Sequence, residues 1–82
     1  MNASNPDDQL AAAIAHAAAR EDPSLPIGIG VELAQTALAE LRQRPEATPG
    51  GLARRVLDQH PQTDVSWANH VARLALLLVA HD

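Results

Sequence analysis

The chain has 82 residues, a formal net charge of −4 and no cysteine. That length suits one domain, the missing thiols exclude disulfides and a cysteine-type zinc site, and the acidic balance disfavours a nucleic-acid binder relying on general electrostatics, because phosphate contacts need a basic surface. Apolar residues make up 46% of the chain, yet there is no Phe, no Tyr and a single Trp, so a core rich in alanine is expected to be marginal on its own, with oligomerisation as one usual remedy.

Residues 1–6 are polar and read as a tail before a single helical domain over 7–82. The stretch 11–19 is apolar enough to suggest a signal peptide, but Asp7 and Asp8 ahead of it carry the wrong sign. It reads instead as a first helix, Asp7 to Arg20, whose early carboxylates suit the positive end of the helix dipole. Leu10, Ala11, Ile14 and Ala18 share one face, with Gln9, His16 and Arg20 opposite.

EDPSLPIGIG, residues 21–30, breaks the pattern with two prolines and two glycines. Gly28-Ile29-Gly30 lacks the preceding strand and the third glycine of a phosphate-binding loop, and reads as a flexible lead into the next helix. That second helix is expected from Gly30 to Arg44, with Val31, Leu33, Ala34, Ala37, Leu38 and Leu41 inward, and Pro45 as its stop. Thr48-Pro49 opens a third helix, a capping threonine followed by a proline at the first helical position. Leu52, Ala53, Val56 and Leu57 form its apolar face, Arg54, Arg55 and Asp58 its polar face, and Pro61 ends it. Thr63 or Asp64 caps a fourth helix that continues to the C-terminus. No alternating run signals a strand, so the fold class is all-α, a small bundle of four short helices.

The fourth helix carries the functional question. At about 100° per residue, Ser66, Asn69, His70 and Arg73 gather on one stripe, and Trp67, Val71, Leu74 and Leu78 lie across from it. Beyond Arg73 the polar stripe fails: Leu77 takes its place, flanked by Leu76 and Ala80. A helix apolar all round is usually buried, but four short helices enclose one of their own with difficulty. The expectation is that Leu76, Leu77 and Ala80, with Arg73 and His70 at the edge, meet a protein partner, most simply a second copy of the chain in a homodimer. Residues 74–80 fall far short of the ~20 apolar residues of a membrane span, which suits a cytoplasmic protein.

Catalysis and cofactors find little support. The four histidines (16, 60, 70 and 81) include no pair at the three- or four-residue spacing that puts two imidazoles on one helical face, so no metal or other cofactor is expected. No serine has a credible base and there is no thiol, so no enzyme is expected. The function expected is that of a non-enzymatic regulator, adaptor or inhibitor. The specific alternative is a dimeric helix-turn-helix-like DNA-binding regulator built from the third and fourth helices, with Arg54, Arg55, Ser66, Asn69 and Arg73 toward the duplex. Against it stand the net charge and a turn that carries Pro61 and no glycine.

Overall fold

The computed structural model describes residues 6–80, with side-chain surroundings for residues 7–79. Four helices follow one another: α1 (Pro6–Glu21), α2 (Ile27–Gln43), α3 (Pro49–Gln59) and α4 (Val65–Ala80). There is no strand among the described residues. No helix among them is long and apolar enough to cross a membrane. Of the expected tail over residues 1–6, Pro6 instead opens α1, and residues 1–5, like the expected run of the fourth helix over 81–82, lie outside the described residues.

Four helix ends follow from local chemistry. Thr48 has extended backbone and its Oγ1 accepts from the Gly51 amide at 3.0 Å, with Pro49 opening α3. Asp64 Oδ1 accepts from the Ser66 amide at 2.9 Å at the start of α4. Such side-chain acceptors satisfy amides that lack an intrahelical partner. At the other ends α2 and α3 use one device: the Arg44 amide donates to Glu40 O and the His60 amide to Val56 O, each at 2.8 Å, and a proline follows in each case.

The start of α2 departs from expectation. It lies at Ile27, three residues before Gly30, behind an extended Pro26 that makes no side-chain cap. Both glycines are therefore helical, and the Gly30 amide donates to Pro26 O at 2.9 Å. Packing is the reason. Gly30 is buried where α1 crosses α2, and a Cβ placed there would sit 3.1 Å from Ala15 Cβ and 3.3 Å from Ala15 Cα. Absence of a side chain lets the two backbones approach, and that contact outweighs the weak helix propensity of glycine.

Residue pairings fix the helix directions. Asp7 meets Arg42 and Ala15 meets Gly30, so α1 and α2 are antiparallel. Thr36 meets His60 and Glu40 meets Arg55, so α2 and α3 are antiparallel too. Among the described residues α2 and α4 each touch the other three helices, whereas α1 and α3 do not touch. The core thus forms between α2 and α4, with α1 and α3 closing its sides. It is a thin core: among the described residues, nine of the eighteen buried apolar side chains are alanine. Ile14, Leu33, Leu38, Leu52, Val56 and Val71 supply its fully buried bulk. Val31 and Leu57, expected inward, are only half-buried at its margin.

Candidate interaction surface

The last two turns of α4 sit at the end of the bundle where α1 begins and α2 finishes. Leu74 and Ala75 are buried, Leu76, Leu78 and Val79 are half-buried, and Leu77 is 49% exposed. Leu76 and Val79 line a groove of about 260 Å³ with Leu41, Arg42 and Pro45. Arg42 is held there by Asp7, with Nε at 3.2 Å from Oδ2 and Nη2 at 2.5 Å from Oδ1. That two-point contact, the usual strong form for arginine and carboxylate, ties the first turn of α1 to the last turn of α2. It holds the Asp7 carboxyl below the usual carboxylate range, chiefly through the Arg42 hydrogen bond. Of the expected interface residues, the Ala80 side chain lies outside the described set.

Arg73 and His70 continue the Leu77 stripe toward the start of α4. Both reach Glu21 at the end of α1: His70 Nδ1 lies 2.9 Å from Glu21 Oε1, and Arg73 Nη2 donates to the same oxygen. These two residues are therefore anchored within the chain and form a polar border to the exposed leucine. Glu21 carried no such role in the sequence reading, because its reach to α4 depends on how α1 and α4 pack.

The residues of the DNA-contact alternative are placed less coherently. Ser66 and Asn69 are exposed on α4, and Ser66 belongs to the cap of that helix. Arg54 is exposed, but Arg55 lies 3.5 Å from Glu40 and Arg73 is on Glu21. The histidines do not converge either. His60 Nε2 is 2.9 Å from Thr36 Oγ1 while His70 is on Glu21. No group of three or more potential metal-ligating side chains occurs among the described residues.

A second apolar region escaped the sequence reading. Ile27 is 40% exposed, Ile29 39% and Val65 58%, at the starts of α2 and α4. Beside them a cleft of about 460 Å³ is lined by Ile29, Glu32, His60, Pro61, Gln62, Thr63 and Trp67. Its signal was the IGI run at 27–29, hidden by the expectation that those residues precede the helix. No protein-family model matches the chain, and neither a curated protein nor a solved structure does.

Proposed function

We propose that this protein works through protein–protein contact, as a regulator, adaptor or inhibitor without chemistry of its own, and that it pairs with a second copy through the C-terminal face of α4. One observation carries the reading: Leu77 stands 49% exposed on a helix whose neighbouring turns are almost wholly apolar. Burying a leucine completely is worth roughly 1.5–3 kcal/mol, so enclosing the exposed half of Leu77 adds about 1 kcal/mol per chain. A stable interface covers roughly 800 Å² per partner, about a sixth of the 4950 Å² surface of this chain. It must therefore extend from Leu77 over Leu76 and Val79 to Arg42 and Pro45 on one side and Arg73 on the other. A two-fold axis through Leu77 brings the same residues together from both copies.

Light scattering tests the proposal. The parent is expected at twice the 8.7 kDa chain mass, and Leu77→Glu at the single-chain mass with its helix content intact. A parent that stays at the single-chain mass at high concentration removes the pairing.

A further inference from the structure

Of the four exposed large aliphatic residues among those described, only Leu77 lies at the C-terminal face of α4. Ile27, Ile29 and Val65 lie at the opposite end, at the starts of α2 and α4, and Ile29 lines the Trp67 cleft. We propose that this cleft docks a cationic segment of a partner protein, an arginine or lysine flanked by apolar side chains.

Charge and wall chemistry argue for that occupant. Ile29, Pro61 and Trp67 provide apolar wall. The indole is fixed by its own hydrogen bond, Nε1 donating to Ser24 Oγ at 3.3 Å, and Ser24 Oγ in turn donates to Asp22 Oδ1 at 2.6 Å. Glu32 lines the cleft, and its carboxylate has no ion-pair partner among the described residues. Asp22, which accepts from Ser24, and Asp64, which accepts from the Ser66 amide, do not line it. None of the six arginines lines this cleft. By contrast, Arg42 lines the Leu76 groove, and Arg44, Arg54 and Arg55 line the groove between α2 and α3. The cleft therefore joins apolar wall to one carboxylate without an ion-pair partner among the described residues, with no arginine in its lining. A guanidinium or ammonium is attracted to an aromatic face and donates charge-assisted hydrogen bonds to a carboxylate. The aliphatic stem behind the charge covers apolar wall at the same time, and flanking apolar side chains pack on Ile29 and Pro61.

Trp67 is the only aromatic residue of Phe, Tyr and Trp in the chain, so intrinsic fluorescence reports on this cleft alone. The test titrates the full chain, carrying Leu77→Glu to keep self-association out of the signal, with acetyl-leucyl-arginyl-leucinamide. The same peptide with neutral citrulline replacing arginine is the comparison. A saturable change is expected, with the arginine peptide binding about ten-fold tighter, the order given by one exposed ion pair and one cation–aromatic contact together. Glu32→Gln should reduce that preference to about three-fold, while Asp58→Asn, an exposed carboxylate outside the cleft, leaves it unchanged. Equal binding of the two peptides, a preference indifferent to Glu32→Gln, or no saturable change overturns the proposal.

Discussion

Gly28 and Gly30 stand two positions apart in the same turn of α2 with opposite requirements. Nothing lies within 4 Å of a Cβ built at Gly28, whereas one at Gly30 meets Ala15. Neither glycine has a positive φ, so the difference is one of space. Gly28→Ala should raise stability by about 0.4–1 kcal/mol, through reduced freedom of the unfolded chain. Gly30→Leu should lower it by about 1–3 kcal/mol by forcing α1 from α2. Denaturant melts of both variants check this, and equal effects would mean that the Gly30 crossing is not a close one. Two aspartates set a pH response at the same scale. Asp7 is held more acidic than usual chiefly by its hydrogen bond from Arg42, and Asp22 by those from Ser24. A carboxyl more acidic in the folded than in the unfolded chain contributes stability above its unfolded value, near about pH 4. That contribution is lost as pH falls through the folded value. The Asp7→Asn, Asp22→Asn double variant should therefore lose less stability than the parent between pH 4 and lower values. Thermal melts across that range that fall in parallel would contradict the assignment.

Among elements, what the sequence makes legible is what local chemistry decides. Thr48-Pro49 and Asp64 announce helix starts because their side chains or ring act within three residues. Pro45 and Pro61 announce stops for the same reason. Thr48→Ala should cost about 1 kcal/mol, a large share for a helix of only 11 residues; a melting curve indistinguishable from the parent's would show that Oγ1 is not needed at Gly51. The start of α2 was not legible, because the role of Gly30 is set by Ala15 on another helix. The Glu21 anchor under His70 and Arg73 was hidden likewise, since it needs the end of α1 beside α4. The wheel did place Leu77 on the outward stripe, in line with Arg73 one turn earlier. It missed Ile27 and Ile29, because a pattern assigned to a break has no face to inspect.

For the molecule as a whole, composition and function meet in the core. Half of the buried apolar positions among the described residues are alanine, which favours close helix approach but removes little area from water per residue. Small domains with such cores have little stability to spare. The proposed pairing through the Leu77 face would add stability that depends on protein concentration. The parent should melt at a higher temperature as its concentration rises, and Leu77→Glu should not. Its folded single chain loses little by that change, because Leu77 is already half in water. In the proposed pairing the C-terminal face of α4 meets the second copy and leaves the Trp67 cleft open. The most direct measurement is an isotope-filtered NMR experiment on an equal mixture of labelled and unlabelled chains. Intermolecular contacts from the Leu77 methyl groups to Leu76, Val79 or Pro45 of the other copy are the predicted result. Their absence, or contacts confined to Ile27, Ile29 and Val65, would contradict it.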